Sequence, residues 1–548
     1  MSAAATRPPP SARLAALTRR VGLDPFEAGC LVALIAVSLA VMLPLAVQGR
    51  PLSGVEGLFP PDQFQYFAWI REAAHHGLIG NRFDLAPGHR PFLHPGFLLS
   101  GLLHDVTGVS IPLAFQLWKP LAILLTFFGC LLYVRRLLPP VWQQRVALVL
   151  ALFSVMPAVA VVAWSDWGGN PRQYTFDFIS GEMWTGQYLW GYLMTAIAVF
   201  LMPFVLLGYE SWRNSGRART LWLCVAGTLI VFWLQPWQGA TLVIIVLAVE
   251  AIRWRRSGER PPLQALLLPV AAAIPAIYYF VLSHADADWK LASESNAAGA
   301  EAVWSWPWWA IVLTVFPLAL PAALAYRLPA PTWQDLALRV WPFAAALVYL
   351  LPVGTFPYHS LQGLALPLSI LAVAGVAGVA PRPRPWLVVA AVFVLTVPGF
   401  IHKLELPRNN IRENVYAYYI LEDEGRALDF LEGDPRPGGV LAAEYASNMV
   451  PFRTGREVYQ GALSWTPDYG MKLAKSNALF DGKLDVADAR DYVRGSDARF
   501  LFASCRPAAD LEPTLGPLLA RTRRFGCATV YELRPRPDMA RAAGAPDE

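Results

Sequence analysis

The stretch Pro60-Pro61-Asp62-Gln63-Phe64-Gln65-Tyr66-Phe67-Ala68-Trp69-Ile70-Arg71-Glu72-Ala73 sets a carboxylate, Asp62, at the head of an apolar stripe. Phe64, Phe67, Ile70 and Ala74 recur at helical spacing, so the segment is expected to be an amphipathic helix lying along a membrane surface. Two compatible roles for Asp62 follow from this position. Followed three residues later by Gln65, it fits a capping box in which the carboxylate accepts a helix N–H. A carboxylate at a water–lipid boundary can also face a substrate. Other ionisable residues stand where charge is informative. Lys119 lies about nine residues inside an apolar run, where a cation is costly unless it faces a polar cavity or snorkels to the interface. His359, in Phe356-Pro357-Tyr358-His359-Ser360, is a ring able to donate to an oxyanion, and Arg172 and Arg90 are further cations. Asp166, Asp177 and Glu182 are carboxylates of one inter-run loop. His75 and His76 are adjacent, so they point apart on a helix and make a poor metal pair. The corner Gln235-Pro236-Trp237-Gln238 reads as a tight hairpin whose proline turns the chain.

These residues must be positioned by membrane-spanning helices. Hydrophobic residues make up 55% of the chain and the mean hydropathy is +0.39, too apolar for water alone to solvate. The charge of +5 arises from 45 Lys and Arg against 40 Asp and Glu with no long basic run, which argues against nucleic-acid binding. Apolar runs near 28–47, 110–134, 146–163, 188–208, 220–235, 239–252, 263–283, 306–325, 338–353, 361–380 and 386–401 predict about eleven spans, the first a retained signal anchor. Arginines gather in alternate loops, at Arg135–Arg136, Arg213–Arg219, Arg253–Arg260, Arg327 and Arg382–Arg384, which are therefore expected to be cytoplasmic. That puts the N-terminus inside, and an odd number of spans puts the C-terminal segment outside. The opposite loops are longer and richer in aromatic and acidic residues, 48–109 above all.

The chain divides into a disordered cytoplasmic tail (1–24), a transmembrane domain (25–405), an extracytoplasmic α/β domain (406–534) and a second disordered tail (535–548). In the α/β part, 415–432 reads as a helix, 438–443 and 456–460 as strands, and 470–494 as helices. Strands at 498–504 and 528–533 flank a helix near 508–520. Cys505 and Cys527, at the facing ends of these two strand-like runs in an oxidising compartment, are expected to form a disulfide, two buried thiols being the alternative. Cys30, Cys130 and Cys224 sit in apolar runs, and no Cys or His spacing matches a zinc site.

Taken together, the cytoplasm-first anchor, the large outer loop opening on Asp62, the surface helix and the extracytoplasmic C-terminal domain resemble the GT-C superfamily of polyprenyl-phosphate-dependent glycosyltransferases. The stretch PDQFQYFAWIREAAHHGLIGNRF (61–83) resembles its bacterial members, with a D-x-x-x-Y-x-x-x-I/L-R-x-A pattern. TGREVYQGALSWTPDYG (454–470) and RFGCATVYEL (524–533) look like their periplasmic domain. The fold implied is a polytopic α-helical membrane protein, GT-C-like, with a C-terminal extracytoplasmic α/β domain. The activity implied is transfer of a hexosyl or pentosyl group, in the bacterial inner membrane, from a polyprenyl-phosphate sugar to a cell-envelope glycan, lipid or protein. On this resemblance Asp62 is the general base, and Lys119, His359 and Arg172 are candidates to meet the donor phosphate. Many relatives carry a second acidic residue directly after that Asp. Here the position is Gln63, so if a divalent cation is a cofactor, Asp166, Asp177 or Glu182 would have to supply a further carboxylate. Two other classes compete: a transporter or lipid flippase, which usually shows matched repeats that are not evident here, and a noncatalytic envelope-binding scaffold, which would tolerate loss of Asp62.

Overall fold

The computed structural model describes residues 22–535, apart from 58, 87, 305–307, 352–355, 413–416 and 507. Both expected tails, except for residues 22–24 and 535, lie outside the described residues. The chain is a polytopic helical membrane protein carrying a small C-terminal sheet. Among the described residues, six helices are long and apolar enough to span a bilayer: Ile111–Leu137, Leu193–Ser215, Pro236–Ser257, Leu263–Ala285, Trp309–Arg327 and Pro385–Asn409. The pair Val141–Phe153 and Pro157–Ser165, bent by 46°, makes a seventh if it is one span. Three of the eleven expected runs are shorter apolar helices, Pro25–Leu39, Ala218–Leu234 and Ala365–Val379. The first of them differs most from expectation, because the run 28–47 breaks after Leu39 and resumes as Met42–Val47. A 15-residue helix is about 22 Å long, less than the ~30 Å hydrocarbon core.

Local chemistry sets the helix ends. Asp24 and Glu27 form a reciprocal capping box at the start of Pro25–Leu39, and Arg135 donates to Glu27 at 2.8 Å, tying that helix to Lys119–Leu137. Close backbone approach uses glycine. A Cβ on Gly129 would stand 2.7 Å from the Phe200 carbonyl oxygen, so Lys119–Leu137 and Leu193–Ser215 can touch only with glycine there. Arg136, Asn214, Arg253 and Thr332 line one cavity, so four of the arginine-bearing loops, those of Arg135–Arg136, Arg213–Arg219, Arg253–Arg260 and Arg327, meet at one end of the bundle. Asp62 and the C-terminal domain lie toward the other.

The C-terminal domain is built on a sheet of β1 (Val440–Ala442), β2 (Phe500–Ala503), β3 (Leu519–Phe525) and β4 (Ala528–Leu533), in the order β1-β2-β4-β3. β1 and β2 are parallel, and the other two pairs are antiparallel. The two-residue alternation serves two cores. Leu441, Leu501, Tyr531 and Leu533 pack on the helices Tyr469–Phe480 and Val486–Gly495, whereas Val440, Phe500, Phe502 and Val530 join the core continuous with the membrane domain. The expected strand at 456–460 is only a bridge between Val440 and Val458. The expected helix near 508–520 shrinks to Glu512–Leu515, and β3 follows it with its arginines partly or fully exposed along the sheet edge. Cys505 and Cys527 are joined by a disulfide with Cα atoms 4.7 Å apart, linking the end of β2 to the β3–β4 turn.

The two parts are fastened through the first outer loop. Arg71, on the Pro60–His76 helix, donates to the carbonyls of Phe452 and Arg453 at 3.1 and 3.0 Å and to Glu432 at 2.6 Å, so it satisfies orphan acceptors at the C-terminus of the Glu444–Thr454 helix. Phe64 stacks on Phe452, Trp69 meets Trp465 edge-on, and Asn81 donates to the Trp465 carbonyl at 2.9 Å. The helix expected to lie on a membrane surface is instead packed between protein layers, with Phe64, Phe67 and Ile70 buried.

Candidate active site

Asp62 does not cap its helix. The N-cap is Phe59, Pro60 and Pro61 form the opening turn, and Asp62 follows them with no side-chain cap bond. The physical reason is that prolines present no N–H, so two of the donors a cap would satisfy do not exist. Asp62 Oδ2 instead accepts a hydrogen bond from the Tyr192 hydroxyl at 2.7 Å. Tyr66, one turn further along, meets Tyr192 edge-on and stacks on Phe97, which walls that face of the helix with aromatic rings. The carboxyl is enclosed by protein but keeps an accessible edge. Burial pushes its pKa up. The Tyr192 hydrogen bond and His359 oppose that shift, and Glu182 adds to it.

Glu182 and His359, far apart in sequence, come together beside Asp62. Glu182 Oε2 accepts from Gln362 Nε2 at 2.8 Å and lies 3.1 Å from His359 Nδ1. Burial would lower the imidazole pKa, but the Glu182 carboxylate and its hydrogen bond outweigh it, with Asp62 adding to the rise, so the ring is held toward its protonated form. Asp62 and His359 both belong to loop elements outside the spans. The loop bearing His359 is fixed from the Gln235–Gln238 corner. Gln238 Nε2 donates to the carbonyls of His359 at 2.8 Å and Gln362 at 3.3 Å, and Trp237 lies edge-on to the imidazole at 4.7 Å. From the other side Gly363 N donates to the Tyr188 hydroxyl at 3.1 Å, and that hydroxyl donates to the Glu182 carbonyl. The corner read as a mere turn is therefore a clamp. Gly363 takes φ +81°, a conformation L side chains rarely adopt, where the chain doubles back beneath the histidine.

The remaining sequence candidates stand elsewhere. Lys119 is buried against Glu56, Nζ to Oε2 at 2.5 Å, and also donates to the Ser38 carbonyl, so its charge is neutralised within the protein. Arg172 lies over the Trp167 and Trp309 rings, 4.4 and 5.3 Å from their centroids. Asp177 accepts from Lys403 at 3.0 Å and contacts His402 at 2.8 Å, a buried cluster that latches the Gly169–Met183 helix to the long C-terminal span. Asp166 is exposed in a left-handed turn, and Arg90 is paired with Glu72.

Neither a protein-family model nor a curated protein sequence matches the chain. Solved structures do. The apo oligosaccharyltransferase of Archaeoglobus fulgidus aligns over 89% of this chain and 70% of its own, with a TM-score of 0.51 and 12% identity. ArnT of Cupriavidus metallidurans in the apo state aligns over 92% and 99%, with a TM-score of 0.43 and 13% identity. The arabinofuranosyltransferase AftD of Mycobacteria aligns over 93% and 40%, with a TM-score of 0.48 and 14% identity. The chain has the GT-C fold.

Among the described residues, donors for a divalent cation do not converge around Asp62. Among the described residues, the only three His, Cys, Asp or Glu ligand atoms within 4.8 Å of one another belong to Asp423, Cys505 and Cys527, and two of these are the sulfurs of the disulfide. Asp62, Glu182 and His359 are neighbours without forming such a cage. Sequence reasoning missed Tyr192, Gln238 and Gln362, the groups that orient Asp62, His359 and Glu182. The one available signal was the pair of glutamines flanking Pro236-Trp237, polar groups at the end of apolar runs where each needs a partner.

Proposed function

We propose that this protein is a membrane glycosyltransferase that moves a sugar from a polyprenyl-phosphate donor onto an extracytoplasmic cell-envelope acceptor. The observation that carries the reading is an enclosed carboxyl, Asp62, oriented by a tyrosine and facing a carboxylate-supported histidine. In the reaction the acceptor hydroxyl oxygen attacks the anomeric carbon as its proton passes to Asp62. The bond from that carbon to the phosphate oxygen breaks, and its electron pair leaves with the polyprenyl phosphate. His359, kept protonated by Glu182, donates toward the phosphate oxygens, and Gln362 and Gln238 keep the ring and its carboxylate in register. Arg172 is a further cation for the donor, and Asp177 serves its own cluster.

The test is sugar transfer from membrane-extracted polyprenyl-phosphate sugars by the purified full chain. Asp62→Asn retains an acceptor for the Tyr192 hydroxyl and removes no cap, so expression and melting should be unchanged while turnover falls about 10²–10⁴-fold. Normal transfer by this variant would overturn the base assignment. Unchanged envelope glycans and prenyl-linked sugars in a deletion strain would overturn the glycosyltransferase reading itself.

A further inference from the structure

The cavity at the arginine end of the bundle, about 420 Å³, is lined by three guanidiniums, Arg136, Arg253 and Arg256, and by one carboxylate, Glu210. That carboxylate is committed. Arg136 holds it through two hydrogen bonds, Nε at 3.0 Å and Nη2 at 2.7 Å, so the pair brings no excess charge. The carboxylates of the packed neighbours are committed too. Glu250 accepts from Trp333 Nε1 at 2.9 Å and lies 3.3 Å from Arg213, and Asp335 closes the capping box with Thr332. Arg253 meets a carboxylate only at 4.0 Å, on the exposed Glu259, which is beyond hydrogen-bond range. Arg256 is exposed and has no hydrogen bond or ion pair among the described residues. Two accessible guanidiniums on one helix end therefore face a concave space with little counter-charge.

The rest of the chain at this end adds to the imbalance. Arg135 donates to the Gly22 carbonyl at 3.0 Å, and the residues before Gly22 bring Arg7, Arg13, Arg19 and Arg20 without an Asp or Glu. An anion from outside the chain is what would relieve the repulsion. Position selects its source. Arg253 and Arg256 close the apolar Pro236–Ser257 span, which places them at the depth of lipid headgroups, and Trp254 between them is half exposed, as an interfacial tryptophan is. Ala330, Pro331 and Leu336 set apolar surface beside the cations. A phosphate on an apolar stem suits both kinds of wall, whereas a free phosphate suits only the guanidiniums.

We infer that this cavity binds the phosphate of an anionic glycerophospholipid from the leaflet that meets the arginine end, with Arg253 and Arg256 donating to the phosphate oxygens. The site lies at the opposite end of the bundle from Asp62 and does not depend on the glycosyltransferase reading. Native mass spectrometry of the detergent-solubilised full chain tests it, with phosphatidylglycerol and phosphatidylcholine of the same acyl chains added in equal amounts. Wild type should retain phosphatidylglycerol in preference. The double variant Arg253→Gln, Arg256→Gln should bind it about thirtyfold more weakly, the effect of two arginines near a membrane surface. Arg382→Gln with Arg384→Gln, an exposed pair outside the cavity, should bind as wild type does. Should the first double variant fail to fold, Arg256→Gln alone, on an exposed side chain without a partner, should bind about fivefold more weakly. No preference for phosphatidylglycerol in wild type, or equal weakening by the two double variants, overturns the site, because either result is general surface attraction. Unweakened binding by folded Arg256→Gln overturns it also. Displacement of the lipid by millimolar inorganic phosphate would make the occupant a soluble anion and overturn the lipid assignment.

Discussion

Asp62 and His359 carry opposite requirements, and the pH dependence should expose both. The base works deprotonated, and burial raises its pKa, so the acid limb of kcat/KM should lie above the ordinary aspartate value of about 3.9. His359 works protonated, and Glu182 holds it so, which means activity is lost only as pH rises through a value above the ordinary 6.5. A bell-shaped profile whose alkaline limb disappears in His359→Gln is expected. An unchanged alkaline limb in that variant would assign the second titration to another group. Lys119 behaves differently. Breaking its buried pair leaves Glu56 uncompensated, so Lys119→Met should cost about 3–5 kcal/mol of stability and deplete folded protein in a detergent melting assay. Well-folded Lys119→Met with weakened donor binding would return the lysine to the phosphate.

At the scale of elements, the site is made where loops from distant parts of the chain are held by side chains of a third. The Gln235–Gln238 corner is the clearest case, because its glutamine holds both carbonyls flanking the histidine turn. Gln238→Leu keeps the volume and removes the donor. It should lower kcat by roughly tenfold, the effect of about 1–1.5 kcal/mol of lost positioning, and should relax the raised pKa seen in the alkaline limb. A variant with lowered kcat and an unmoved alkaline limb would make Gln238 a purely structural group. The first-loop helix has a similar dual role, since one face bears Asp62 and Tyr66 and another carries Phe64, Phe67 and Arg71 against the C-terminal domain. Catalytic loop and soluble domain are thus parts of one packing unit.

For the whole molecule, the arginine loops gather at one end and Asp62 with the sheet domain at the other, separated along Lys119–Leu137 by 19 residues or about 28 Å. We propose that the arginine end is cytoplasmic. Reporter fusions at residues 20, 215 and 440 should then read cytoplasmic, cytoplasmic and extracytoplasmic. A cytoplasmic reading at 440 would place the candidate site on the wrong side for an envelope acceptor. The disulfide belongs to the same scale. Cys527→Ser should destabilise the C-terminal domain by about 3 kcal/mol, the loop-closure effect of a 22-residue crosslink, measurable as a shift in its denaturant midpoint. No shift would mean that the sheet and its two cores hold the domain without the crosslink.

The sequence by itself determined the solvent, because runs of apolar residues need lipid whatever they pack against. It also marked the change to a soluble α/β segment, since two-residue alternation and helical spacing are local properties. The positions of β1, β2 and β4 and of two of the three α-helices between β1 and β2, Tyr469–Phe480 and Val486–Gly495, were legible for that reason. β3 was not, because exposed arginines along a sheet edge look like a polar connection until β4 pairs with them. Asp62 was legible as a helix-start carboxylate, but the cap it was given there depends on which residue begins the helix, and two prolines move that point upstream. Which cation faces Asp62 was decided only by tertiary structure. Lys119 and His359 are both lone cations in apolar sequence, and nothing local distinguishes the one that meets Glu56 from the one that Glu182, Gln238 and Gln362 present beside Asp62. Partners separated by tens to hundreds of residues settle that, because a buried charge takes its role from whatever the fold places within hydrogen-bond reach.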